Sequence, residues 1–189
     1  MAGTDLELVI TVPGWLDEVL AAHREGFASD EARMRYAIAL SAENVRRGGG
    51  PFGAAVFAGD QHVASGVNRV LETRYSLAHA EIVAILNAQR VLAREPELAK
   101  HPLSLVTSAE PCCQCFGALV WSGVDRLVCG ATTADVETIG FDEGPKPERW
   151  PETLLARSIT TREGIEREAA REVLLDYQRR GGTIYGFRG

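Results

Sequence analysis

The chain has 189 residues, 46% of them hydrophobic and 24% charged, with a formal net charge of −6. That balance belongs to one globular domain with a sizeable core, and no run approaches the ~20 apolar residues of a membrane helix. No basic stretch precedes an apolar one at the N-terminus, so a cytoplasmic address is expected. The acidic surplus argues against a nucleic-acid substrate, because phosphate neutralisation by Lys and Arg dominates such binding. The tight basic pairs Arg46-Arg47 and Arg179-Arg180 suit helix ends instead.

Residues 1–29 contain Pro13-Gly14 and read as an accessory arm, in which Trp15, Leu16, Val19 and Leu20 follow helical spacing and mark a packing face. Residues 30–189 read as the main domain. Asp30 is placed to cap a helix whose apolar positions, Met34, Ala37, Ile38, Leu40 and Ala42, run up to Gly48-Gly49-Gly50-Pro51. Residues 52–57 and 62–70 are apolar and β-branched on either side of Gly59-Asp60, which predicts a hairpin. Helical periodicity covers 78–94, a buried strand follows Pro102 over 103–107, and a helix over 112–122 leads to a strand over 126–131. A helical stretch at 133–139, a proline-rich turn, a strand near Ile159, a helix over 163–180 and a short strand at Ile184-Tyr185 complete the chain. Alternation of this kind predicts an α/β fold of three layers (αβα), with a mixed central sheet of about five strands flanked by helices.

Two short segments carry the chemistry. His79-Ala80-Glu81 and Pro111-Cys112-Cys113-Gln114-Cys115 together match H-x-E followed by P-C-x-x-C, the pattern of zinc deaminases. His79 offers a neutral imidazole nitrogen, and Cys112 and Cys115 offer thiolates. Three protein ligands leave a fourth tetrahedral position open, the arrangement of a catalytic Zn2+ site, and zinc there lowers the pKa of its bound water to ~7. In this pattern Glu81 is the proton shuttle and not a ligand. A lone C-x-x-C also fits a redox pair or half of a structural zinc site. Here the upstream His-x-Glu has no place in a redox pair, and Cys129 alone cannot complete a second C-x-x-C. Cys113 and Cys129 read as small apolar core residues.

From about Asp30 to Gly140 the sequence resembles the cytidine deaminase superfamily. Thr107-Ser108-Ala109-Glu110-Pro111-Cys112 and Trp121-Ser122-Gly123-Val124 resemble its purine and tRNA-adenosine branch. Phe141-Asp142-Glu143-Gly144-Pro145, after Asp135-Val136-Glu137, resembles bacterial guanine deaminases, including those described as also acting on the triazine ammeline. The resemblance implies that Asn68, the backbone amide of Ala80 and the ring of Phe52 meet the base, and that Glu143 is a second carboxylate in the pocket. It also implies a homodimer whose C-terminal segment crosses to place Tyr185 over the neighbouring site. Three functions follow as candidates: a zinc hydrolase acting on a free purine such as guanine or on a related aminopurine, aminotriazine or nucleoside; a nucleic-acid editing enzyme, disfavoured by charge; and an idle zinc module, disfavoured by Glu81.

Overall fold

The computed structural model describes residues 10–185. A five-stranded sheet, ordered β2-β1-β3-β4-β5, is built from β1 (Gly53–Ala58), β2 (Gln61–Val67), β3 (Leu103–Ala109), β4 (Arg126–Ala131) and β5 (Thr160–Arg162). β1 pairs antiparallel with both β2 and β3, whereas β3–β4 and β4–β5 are parallel, so the sheet is mixed. The two central strands are buried along their whole length.

Period-two alternation sorts the strand residues between two faces. Ala54, Val56, Ala58, Leu105, Leu127 and Cys129 pack with helices α4 (Ala80–Leu92) and α5 (Cys113–Ser122). Ala55, Phe57, Val67, Val106 and Val128 pack with α2 (Asp30–Arg46). Helix α8 (Arg167–Arg179) joins α2 on that second face, where Ala170, Leu174 and Tyr177 close a further cluster. Two glycines bring helices close to the sheet. A Cβ on Gly53 would stand 2.5 Å from the Ala37 carbonyl of α2, and a Cβ on Gly66 would overlap the Ala80 carbonyl and Ala84 nitrogen of α4. The described part of the arm holds α1 (Trp15–Ala22), which buries Leu16 and lays Trp15, Val19 and Leu20 against the α2 side, as their spacing predicts.

Several boundaries differ from the sequence reading. The cap of α2 is Ser29, whose hydroxyl accepts from the Ala32 N–H at 3.2 Å. Asp30 is instead the buried partner of Arg126, at 2.7 and 2.5 Å, and of Arg162 at 2.5 Å, tying the start of α2 to β4 and β5. The second hairpin strand stops at Val67, because a short helix α3 (Val70–Thr73) begins there. Within and after the proline-rich turn, α6 (Thr133–Thr138) is followed by the unanticipated α7 (Trp150–Leu155), which buries Trp150 and Leu154. Helix α8 starts later than Glu163, and Ile184-Tyr185 forms no strand. Cys129 is fully buried, whereas Cys113 is only half-buried and lies against Gly144 instead of entering the core.

Candidate active site

Each half of the motif sits at a helix start. His79 occupies the N-cap position of α4, with Ala80 and Glu81 in the first turn, and Cys112 occupies the N-cap position of α5. Neither cap uses a side-chain hydrogen bond, so the imidazole and the thiol are free for other partners. The partially positive N-terminal ends of both helices favour thiolate.

His79 Nδ1 lies 3.5 Å from Cys112 Sγ and 3.5 Å from Cys115 Sγ, and the three donor atoms all fall within 4.8 Å of one another. Tetrahedral zinc with ligands at ~2.1 Å (N) and ~2.3 Å (S) requires the two donors to stand about 3.5 Å apart. The donor set therefore fits Zn2+, and these three residues would hold it. Hydrogen bonding from Cys115, then from His79, draws the Cys112 thiol down to about 4, against the effect of burial. Cys115, fully buried beneath the site, is pushed up by the Cys112 thiolate and by burial. Burial lowers the His79 pKa, and the Cys112 and Glu81 charges more than reverse this.

Over the metal site lies a cavity of about 270 Å3. His79, Cys112 and Glu81 form its floor, and Asn68, Phe52 and Tyr185 share its walls with Glu143. Glu81 is buried, and its pKa is raised by that burial first and by the Cys112 charge second. Glu143 is as buried as Glu81. Its carboxyl is pushed up to about 8 by burial, then by the charges of Cys112 and Glu81, while Lys146 and His79 pull the other way. Its Oε2 has no hydrogen-bond partner, and its backbone carbonyl accepts from the Cys113 N–H at 2.8 Å, which pins the Glu143 loop to the ligand loop.

Asn68 sits just beyond β2, where its Oδ1 accepts from the Val70 N–H at 3.1 Å, so it ends the strand as well as lining the cavity. Phe52 and Tyr185 pack edge-on against Phe141, with ring centroids 5.3 and 4.8 Å apart. Tyr185 closes the site of its own chain, and its hydroxyl, also without a partner, approaches so near to Gly50 that any Cβ there would collide with it. The Ala80 side chain is in the core and does not line the cavity; its backbone N–H, as the first residue of α4, is one of the donors that have no acceptor within the helix. Sequence reasoning missed Ser76, Glu110, Gln114, Phe141 and Asp142, which complete the lining. Signals were at hand for four of them, since Glu110 and Gln114 flank the ligand cysteines in the second motif and Phe141 and Asp142 precede Glu143 in the third.

Such a fold and site define a zinc-dependent hydrolytic deaminase. Residues 28–131 match the cytidine and deoxycytidylate deaminase zinc-binding region, and the chain belongs to that family. It is 35% identical over 114 residues to guanine deaminase of Bacillus subtilis, covering 60% of this chain and 71% of the relative. It is also 35% identical over 103 residues to a tRNA-specific adenosine deaminase of Buchnera aphidicola, covering 54% and 62%. Among solved structures, guanine deaminase from Nitrosomonas europaea is similar at 46% identity and a TM-score of 0.82, over 92% of this chain and 97% of that one. A structure holding 2,6-diaminopurine is similar at 46% identity and a TM-score of 0.83, over 97% and 98%.

Proposed function

We propose that the chain hydrolyses guanine to xanthine and ammonia. The observation that carries this reading is a second buried carboxylate, Glu143, whose unpartnered oxygen shares one small cavity with Glu81 and the zinc ligands. Guanine presents N–H groups around the carbon that loses its amine, and a carboxylate there can accept from them. At about 270 Å3 the cavity lies just below the ~300–1,000 Å3 usual for ligand sites, which suits a free base better than a nucleoside. Likeness to guanine deaminases over nearly the full chain supports the same substrate.

Bound zinc supplies a water activated near neutral pH. Glu81 takes the proton of the attacking water and delivers it to a ring nitrogen beside the attacked carbon. Glu143, raised to about 8 and so protonated near neutral pH, accepts from the exocyclic amine through its carbonyl oxygen, gives its own proton to the amine as the C–N bond breaks, and regains one from the hydroxyl on the attacked carbon as the new C=O forms. Asn68 and the Ala80 N–H orient the ring, Phe52 packs on its face, and Tyr185 covers it from solvent. Ammonia release from guanine, adenine, cytosine, cytidine, ammeline and tRNA tests the assignment: guanine should be the best substrate, and turnover of tRNA or cytidine with none of guanine would reject it.

Nucleic acid is disfavoured, because most of the described arginines pair with acidic neighbours, among them Arg35 with Glu25 and Glu166, Arg47 with Glu43, and Arg180 with Asp176. We propose a homodimer on separate grounds. A concavity of about 820 Å3 holds no zinc ligand and is lined by α4 and the preceding loop, where Leu77 and Leu86 are 61% and 45% exposed among Ile82, Tyr75, Arg74 and Arg90. A charge in that face, Leu86→Glu, should turn a dimer into a monomer in light scattering; monomeric wild type would remove the proposal. Exchange of the C-terminal segment is not needed to close the site, since Tyr185 reaches it within its own chain. None of the four cysteines forms a disulfide, and two are committed to the metal site, which supports a reducing, cytoplasmic setting.

A further inference from the structure

Six buried side-chain polar atoms among the described residues lack a hydrogen-bond partner, and three of them, Gln114 Nε2, Glu143 Oε2 and Tyr185 OH, belong to residues that line the catalytic cavity. Buried polar atoms are almost always paired, so orphans concentrated in one cavity mark a wall shaped for a polar ligand. The mechanism above gives Glu143 its partner and uses Tyr185 only as a cover, which leaves the Tyr185 hydroxyl unpaired. Gln114 also lacks a partner.

Its position is set firmly. Gln114 lies in the first turn of α5 between the ligands Cys112 and Cys115, so any shift of its backbone would move the metal site. Cys113, the other residue between the ligands, is turned against Gly144, where a Cβ would come within 2.5 Å of its sulfur. One intervening side chain thus packs under the Glu143 loop, and the other faces the cavity.

We propose that Gln114 is a specificity-determining residue whose amide donates a hydrogen bond to an acceptor, a ring nitrogen or an oxo group, on the edge of the bound base. The inference rests on the purine reading of the site. A carboxylate accepts and an amide N–H donates, so a ligand that satisfies Glu143 and Gln114 together must present an N–H group and an acceptor on one molecule. Amino-oxo heterocycles do so. A ring lacking the acceptor would leave the Gln114 donor buried and unpaired, and sites built around a hydrogen bond reject such analogues strongly.

The test is calorimetric titration of the zinc-loaded protein with 8-azaguanine, in wild type, Gln114→Met and Gln114→Glu. Met keeps the length without the hydrogen bond, and Glu puts an acceptor where the donor stood. Zinc content and melting temperature should match wild type in both. Affinity should fall about five- to tenfold in Gln114→Met, the scale of one neutral hydrogen bond, and further in Gln114→Glu. Affinity within twofold of wild type in both variants overturns the role of Gln114 while leaving the purine reading standing. Loss of zinc in both would make Gln114 a prop for the ligand loop and would likewise overturn it. Wild type that fails to bind 8-azaguanine overturns the purine reading, and this inference with it.

Discussion

Glu81 and Glu143 occupy similar surroundings and are assigned different tasks. Both are buried, and both have pKa values raised chiefly by that burial. Glu81 stands two residues from His79, where the proposed mechanism gives it the attacking water; Glu143 comes from a separate loop and is given the departing amine. Replacing Glu81 with Gln keeps shape and zinc but cannot relay protons, so turnover should fall at least ~100-fold, the scale of general acid–base work, with metal content unchanged. Near-normal turnover in Glu81→Gln would assign proton transfer to another group. The ligands and Glu81 were legible because metal chemistry constrains both residue type and spacing. Cys113 was not, because apolar character predicts burial in general and cannot tell the core from a loop packed over the ligand turn.

At the scale of elements, the site depends on how closely α4 approaches β2. Gly66 lets the Ala80 carbonyl rest against the strand, one residue from the ligand His79. Gly66→Ala should push the start of α4 outward, costing about 1–3 kcal/mol of stability as an overpacked core position does, and should weaken zinc retention. Unchanged unfolding and metal content would show that the helix shifts freely. The strands and long helices were readable from period-two and helical patterning. The starts of α2 and α8 and the short helix α7 were not. Asp30 has the chemistry of a cap, yet two arginines distant in sequence, Arg126 and Arg162, claim its carboxylate, and Ser29 caps instead. Tertiary pairing of that kind leaves no local trace.

For the whole molecule, acid sensitivity has a specific source outside the site. Burial among Phe27, Tyr36 and Phe57 holds His62 down to about 4, with Asp17 opposing weakly. The unfolded chain protonates this histidine near 6.5 and the folded chain only near 4, so its contribution is fully present above 6.5 and is lost as pH falls through that window. The loss amounts to about 2–3 kcal/mol by pH 4. Urea unfolding at pH 7 and pH 4.5 should show His62→Gln losing less stability than wild type over that interval. Glu143 changes in the opposite sense, since its raised pKa favours the acidic folded state, so the difference between the two proteins, and not the total slope, isolates His62. Equal losses in both would place the acid sensitivity elsewhere.

The central claim is that one zinc, Glu81 and Glu143 make this cavity a guanine-hydrolysing site. The most direct measurement is the rate of xanthine formation from guanine by wild type and by Glu143→Ala at equal zinc content. The structure predicts xanthine from wild type and a loss of at least ~100-fold in the variant, because the carboxylate acts on the departing amine as well as in binding. No xanthine from zinc-loaded wild type, or an unaltered rate in Glu143→Ala, would contradict it.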